Sequence, residues 1–172
     1  MLDRVAHPLR LQAVGYGHPD AERLIAEVQQ EYVALYGTPD ESPIDPLLFD
    51  PPAGLFVVGY EGGEPVATGA WRRTDVRAMG PVLTAELKRM YVVPAARRRG
   101  HSRVVLAHLE ATAAAAGFAA LVLETGTQQP EAIALYLDSG YERVPGFGHY
   151  EGEPLSRCYG KRLAVPHVPG SP

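Results

Sequence analysis

Leu87-Lys88-Arg89-Met90-Tyr91-Val92-Val93-Pro94-Ala95-Ala96-Arg97-Arg98-Arg99-Gly100-His101-Ser102-Arg103 carries the pattern that decides this chain. Val82 to Val93 reads as a long strand, and Pro94, with no N–H to give a ladder, stops it. Gly100 opens a helix to Ala116, with Val105, Leu109, Thr112 and Ala116 on one stripe and Gly117 as its stop. A helix start presents unpaired N–H groups and the positive end of the helix dipole. Both favour a phosphate or pyrophosphate. Gly100 lets an anion approach the backbone without a Cβ in the way, and Arg97, Arg98, Arg99 and Arg103 add positive charge around it. By residue chemistry alone this is an anion-binding loop; a solvated helix start with exposed arginines has the same composition. It is not a Walker A loop, because no GxxxxGK[ST] occurs.

Upstream, Leu9 to Val14 alternates as a short strand. His18-Pro19-Asp20 then starts a helix, with Asp20 near the N-cap. Leu24, Val28, Tyr32 and Leu35 recur at helical spacing, so this helix runs to about Gly37. Thr38 to Pro52 reads as a loop with one helical turn around Asp45 to Phe49. Leu55 to Tyr60 and Val66 to Trp71 are strands joined at Glu61-Gly62-Gly63-Glu64, a hairpin signal. Downstream, Leu121 to Glu124 is a short buried strand, and Pro130 to Ser139 a helix with proline in its first turn. Tyr141 to Val144 and Arg157 to Leu163 are the last strands. Antiparallel strands followed by β-α-β predict an α/β chain (an α+β mixed sheet) with helices on both faces.

Composition bounds the function. The 172 residues carry a net charge of -4, with 46% hydrophobic and 21% charged residues. That is an ordinary globular composition of one-domain size, and an acidic balance argues against nucleic acid or an anionic membrane as partner. One cysteine, Cys158, precludes an internal disulfide and fits a reducing compartment. No apolar run reaches the roughly 20 residues that span a bilayer, and Met1 to Arg10 lacks a secretory apolar core. The expectation is a cytoplasmic enzyme of bacterial type. The histidines show no H-x-x-x-H or H-E-x-x-H spacing, so no metal site is expected.

Arg97-Arg98-Arg99-Gly100-His101-Ser102 resembles the Q/R-x-x-G-x-G/A signature of the GNAT acetyltransferase superfamily, with Ser102 where the family has Gly or Ala. Glu86-Leu87-Lys88-Arg89-Met90-Tyr91-Val92-Val93-Pro94 is similar to the family's preceding strand, E-L-x-x-L-Y-V-x-P. Gln129-Pro130-Glu131-Ala132-Ile133-Ala134-Leu135-Tyr136-Leu137-Asp138-Ser139-Gly140-Tyr141 resembles its N-x-x-A-x-x-L-Y-x-x-x-G-F/Y, with Gln129 in place of Asn. These matches cover Val82 to Tyr141. The resemblance implies the acyl-CoA N-acyltransferase fold, a mixed, mostly antiparallel sheet with a splayed central strand pair. It implies one GNAT domain over 1–163, with 164–172 a flexible tail and a homodimer possible.

The resemblance also implies roles. Acetyl-CoA is the co-substrate. Its pyrophosphate would sit on the loop from Arg97 to Arg103, His101 included, with Gln129 nearby. Its pantetheine arm would pair with the backbone of Met90, Tyr91, Val92 and Val93, as in strand addition. Tyr136 matches the family's general acid at the coenzyme A sulfur, and a backbone N–H near Val92 would serve the oxyanion. Glu86, eleven positions before Arg97, matches the base of histone-type members. Strict alternation puts Glu86, Lys88, Met90 and Val92 on one face, with Glu86 about 13 Å from Met90, within a water relay; pairing with Lys88 or Arg72 is the alternative. Glu124, ending the next strand, is the second candidate base.

Tyr32, Tyr36, His149 and Tyr150 are the expected acceptor contacts. Asp40, Glu41, Asp45, Asp50, Phe147, Glu151 and Glu153 add acids and an aromatic, a mixture that suits a cationic amine. The expected reaction moves acetyl from acetyl-CoA to a primary amine of a small molecule by direct attack in a ternary complex. A protein lysine or N-terminus as acceptor, and an acyl-CoA binding or sensing module without turnover, are the alternatives.

Overall fold

The computed structural model describes residues 7–164. The expected tail beyond Ala164 lies outside the described residues. Seven strands form one sheet in the order β1-β2-β3-β4-β5-β7-β6. They are β1 (Arg10–Ala13), β2 (Gly54–Glu61), β3 (Glu64–Thr74), β4 (Thr84–Val92), β5 (Ala120–Gly126), β6 (Glu142–Arg143) and β7 (Ser156–Arg162). Every neighbouring pair is antiparallel except β4 and β5. The helices are α1 (Pro19–Tyr36), α2 (His101–Ala115) and α3 (Pro130–Asp138). No described helix is long and apolar enough to cross a membrane.

Local chemistry explains most boundaries. His18, not Asp20, caps α1: its Nδ1 accepts the Asp20 N–H at 3.1 Å, and Pro19 takes the first helical turn, where its missing N–H costs nothing. Gly37 ends the helix at φ +84°. Gly62 and Gly63, at φ +59° and +86°, make the tight β2–β3 turn, which needs positive φ at both positions. The expected strand Tyr141 to Val144 shrinks to two residues, and the expected helical turn at Asp45 to Phe49 is a 3-10 turn over Pro46–Phe49 capped by Asp45.

The two faces of the sheet bury different cores. Val105, Leu106 and Leu109 of α2 pack with Trp71, Leu87, Leu121, Leu123 and Tyr136. Ala21, Leu24 and Val28 of α1 pack with Phe49, Phe56, Val58 and Tyr91 on the other face.

Strict alternation fails in β4. Tyr91 pairs with Thr68 and Lys88 with Ala70, so Arg89 and Met90 together oppose Gly69. This is a β-bulge, with Arg89 at φ +57°. It reverses the side-chain phase. Glu86 and Lys88 lie on the α1 face, whereas Met90 and Val92 pack with the α2 core. The expectation that all four share a face is therefore corrected. The Thr68 hydroxyl satisfies the displaced Arg89 carbonyl at 2.7 Å.

Gly69 leaves the room this bulge needs, since a Cβ there would lie 2.5 Å from Val105 Cγ1, 2.8 Å from Leu109 Cδ1 and 3.0 Å from the Met90 sulfur. Gly69→Ala is expected to destabilise the protein by about 1–3 kcal/mol, read as a lower urea midpoint; an unchanged midpoint would show that the bulge tolerates the extra methyl.

Candidate active site

β4 keeps β3 as partner as far as Val92, but pairs with β5 only over Thr84–Ala120, Ala85–Leu121 and Glu86–Val122. Beyond that the two strands part. Two connected clefts open there. The first, of about 620 Å³, extends from the start of α2 to Tyr136. The second, of about 450 Å³, lies between α1, the segment after it and the β6–β7 connection. Tyr32, Asp40, Lys88, Glu124, Thr125 and Gln129 line both, so the clefts meet at these residues.

The first cleft has the features of an anion seat. The Val104 N–H bonds the Gly100 carbonyl at 3.2 Å, so the N–H groups of His101, Ser102 and Arg103 have no acceptor within the helix. Gly100 and Arg98 adopt φ +79° and +63°. His101 is 7% exposed, and its Nε2, 3.5 Å from a Glu61 carboxylate oxygen, has no hydrogen-bond partner. The free N–H groups of this helix start are what fits an anionic ligand; His101 Nε2 faces the Glu61 carboxylate instead.

The four arginines differ in what holds them. Arg97 donates to the Val92 carbonyl at 2.9 Å and to Glu31 at 2.8 Å. Arg99 is held by Glu61 at 2.7 Å and the Ala95 carbonyl at 3.1 Å, outside the cleft lining. Arg103 lines the cleft but pairs with Asp138 at 3.2 Å. Arg98 and Ser102 line the cleft as well. Met90, Tyr91 and Val92 form its wall; Val93 instead packs into the cores. Val93 donates to Val66 directly opposite, at 2.9 Å. Antiparallel bonding alternates, so the neighbouring Val92 turns its N–H away from β3, toward the gap.

Glu124 and Tyr136 flank the junction. Glu124 opposes Cys158 on β7, whose thiol lies 3.9 Å from its carboxylate. Burial, reinforced by the negative charges of Glu86 and Asp40 and opposed by Lys88, pushes the Glu124 carboxyl up to about 7. Tyr136 projects from α3 and is buried; burial, with the nearby Tyr32 adding, raises its phenol well above the ordinary range. Burial also pushes Tyr32 up to about 12. Tyr32 belongs to α1 on one face and Tyr136 to α3 on the other, and both reach the gap. Glu86 lines neither cleft; it pairs with Arg72 at 3.2 Å and lies 3.9 Å from Lys88.

In the second cleft Tyr32, Tyr36, His149 and Tyr150 come together as expected, with Asp40, Glu41 and Glu153. Asp45, Asp50, Phe147 and Glu151 are not part of its lining. The Tyr36 hydroxyl donates to Gln129 Oε1 at 3.3 Å and sits over Gly126, where a Cβ would strike its ring. Arg89 is the site neighbour that the sequence pattern does not pick out. Its signal was a cation inside an apolar strand. Among the described residues no group of three or more His, Cys, Asp or Glu could hold a metal.

The model of the Acetyltransferase (GNAT) family matches residues 21–141. The chain belongs to this family. It is an acyltransferase. An "IAA acetyltransferase" of Azospirillum brasilense is 35% identical over 141 residues, which is 82% of this chain and 89% of the relative. A Klebsiella pneumoniae structure assigned as an acyl-CoA N-acyltransferase is 28% identical with a TM-score of 0.71, covering 91% of this chain and 98% of its own. The "IAA acetyltransferase" structure of Bacillus cereus, at 18% identity and TM-score 0.61 over 91% of this chain and 100% of its own, shares the fold. The observed sheet, parting between β4 and β5 with helices on both faces, is the acyl-CoA N-acyltransferase fold.

The raised Glu124 carboxyl has a consequence for stability. The folded state holds this proton more tightly than the unfolded state, so stability falls as pH rises from about 4 to about 7. Glu124→Gln is expected to flatten that decline and to be more stable than the parent at pH 8. Denaturant melts at pH 5 and pH 8 check this; parallel pH slopes in the two proteins would show that Glu124 titrates normally.

Proposed function

We propose that this protein transfers an acetyl group from acetyl-CoA to a primary amine of a small molecule, by direct attack while both are bound. The observation that carries this reading is the junction at Glu124, a carboxyl poised near neutrality where the two clefts meet. Acetyl-CoA, when bound, supplies an acyl group activated by a thiol leaving group. The N–H groups at the start of α2, with His101, Ser102 and Arg98, would hold its pyrophosphate. The backbone of Met90 to Val93 would hold its arm along the gap. Arg97, bonded to the Val92 carbonyl, would fix that backbone, and the Val92 N–H would face negative charge developing on the acyl oxygen.

An alkylammonium has no lone pair, so the acceptor must lose a proton before it attacks. Glu124 is the base in this reading. A carboxyl titrating at about 7 is largely deprotonated just above neutrality yet basic enough to take the proton. Tyr136, kept protonated by burial, would hold the proton that the departing thiolate needs. Glu86, held by Arg72, tunes Glu124 by its charge rather than touching the substrate. Tyr32, Tyr36, His149 and Tyr150 would shape the acceptor seat. Support for a small molecule comes from the curated relative's name. A protein lysine would need an open groove instead.

Steady-state release of thiol from acetyl-CoA against a panel of amines tests this. Amine-dependent turnover is expected, with kcat/KM rising through an apparent pKa near 7. Glu124→Gln should lower kcat by about 10²–10⁴-fold and abolish that limb. Tyr136→Phe should lower kcat and leave cofactor affinity in place. Tight cofactor binding without turnover on any amine would shift the reading to an acyl-CoA sensing module.

A further inference from the structure

Asp40, in the segment between α1 and β2, gathers contacts from α1, β4 and the β6–β7 connection around the acceptor cleft. Its carboxylate takes Arg89 Nη1 at 3.0 Å, Lys88 Nζ at 3.6 Å, the Tyr150 hydroxyl at 3.2 Å, and both the backbone N–H and the hydroxyl of Ser42. Its backbone is fixed in turn by Gln29 of α1, which donates to the Asp40 carbonyl at 3.2 Å and accepts its N–H at 2.8 Å. The Tyr150 hydroxyl also accepts the Glu41 N–H at 2.7 Å. The contacts thus join α1, β4 and the β6–β7 connection at one residue, β4 and the connection through its carboxylate and α1 through its backbone.

These contacts occupy Asp40 fully. Arg89 is 6% exposed, and a buried guanidinium needs a counter-ion. Burial alone would raise the Asp40 carboxyl, but Lys88, Ser42 and Arg89 outweigh it and hold it at about 2. Asp40 is therefore a fixed anion across the working range, and not a spare charge for a cationic acceptor. Lys88 is the cation that Asp40 shares with the junction. Its ammonium sits on a flexible stem, donates to Ser42 Oγ at 3.0 Å, and lines the same two clefts as Glu124.

We propose that Asp40 is the positioning residue of the transfer site: through Tyr150 it holds the β6–β7 connection across the acceptor cleft, and through its charge it keeps the Lys88 ammonium from pairing with Glu124. An ammonium free to reach Glu124 would stabilise the carboxylate and weaken it as a base. The charged and titratable groups around Glu124 are Lys88 and Glu86 of β4, Asp40, Tyr32 and Tyr36 of α1, His149 and Glu153 of the β6–β7 connection, and Cys158 of β7. Among them Asp40 is the one that bonds both Lys88 and the connection. This inference rests on Glu124 as the base.

The test pairs the kcat/KM pH profile for the acceptor with carboxyl ¹³C NMR titration of Glu124 in the free protein. Asp40→Asn is expected to move both midpoints down by about one pH unit. Lys88→Met should move both up. Tyr150→Phe should leave the titration in place and raise the acceptor KM several-fold, because it removes the bond but not the charge. If the orphaned Arg89 unfolds Asp40→Asn, the Asp40→Asn/Arg89→Met double variant removes both buried charges and is read in the same way. A purely structural Asp40 would lower activity without moving the Glu124 titration, and that result overturns the proposal, as does an unchanged KM in Tyr150→Phe. Glu124→Gln separates the two levels. If it keeps the parent rate, the base assignment falls and the proposal with it. If it is inactive while the Asp40 variants leave Glu124 titrating as before, the proposal alone falls.

Discussion

β4 and β5 share three paired positions and then part, and the clefts exist because they part. A continuous sheet would have spent the backbone groups of Leu87 to Val92 on a second ladder. Instead they border an open gap. The gap also gives side chains from opposite faces of the sheet one destination: Tyr32 arrives from α1, Tyr136 from α3 and Glu124 from the end of β5. The bulge at Arg89 contributes by turning Met90 and Val92 into the α2 core while Lys88 stays with Asp40.

The two carboxylates at the junction show how environment divides their roles. Asp40 has two cations and two hydroxyls against it and stays ionised. Glu124 is partly buried, faces other carboxylates and has Lys88 as its opposing cation, so it titrates near neutrality. The same functional group is held ionised in one place and left to titrate near neutrality in the other. Their difference depends on where Lys88 sits, which couples the acceptor side of the site to its basicity.

A similar division runs through the arginine cluster. Arg97 and Arg99 are held by Glu31 and Glu61, and Arg97 supports the Val92 carbonyl as well. They shape the loop. The helix start and Arg98 are left lining the cleft, whereas His101 Nε2 faces Glu61. Four consecutive or near-consecutive cations in sequence are therefore not four equivalent ligands.

The sequence by itself determined the element order, the strand–loop–helix at Leu87 to Arg103 and the family. Those depend on local signals: a strand stopped at Pro94, a glycine before a helix, and residues at fixed spacing along one chain. Its acceptor contacts Tyr32, Tyr36, His149 and Tyr150 also gather in one cleft. Only the tertiary structure decided between Glu86 and Glu124 as the better-placed carboxyl. Glu86 lies within the strand before the loop and Glu124 ends the next expected strand, and local pattern gives no ground to choose between them. Arg72 on the neighbouring strand engages Glu86, whereas Glu124 meets β4, β7 and the end of α1 in the gap, and such contacts depend on residues far away in sequence. The bulge hid for the same reason: alternation is a property of one strand, whereas the extra residue at Arg89 is set by its register with Gly69. Asp40, which reads as one more acid in a polar loop, acquires its role only when Arg89, Lys88 and Tyr150, 48 to 110 residues away in the chain, are folded against it.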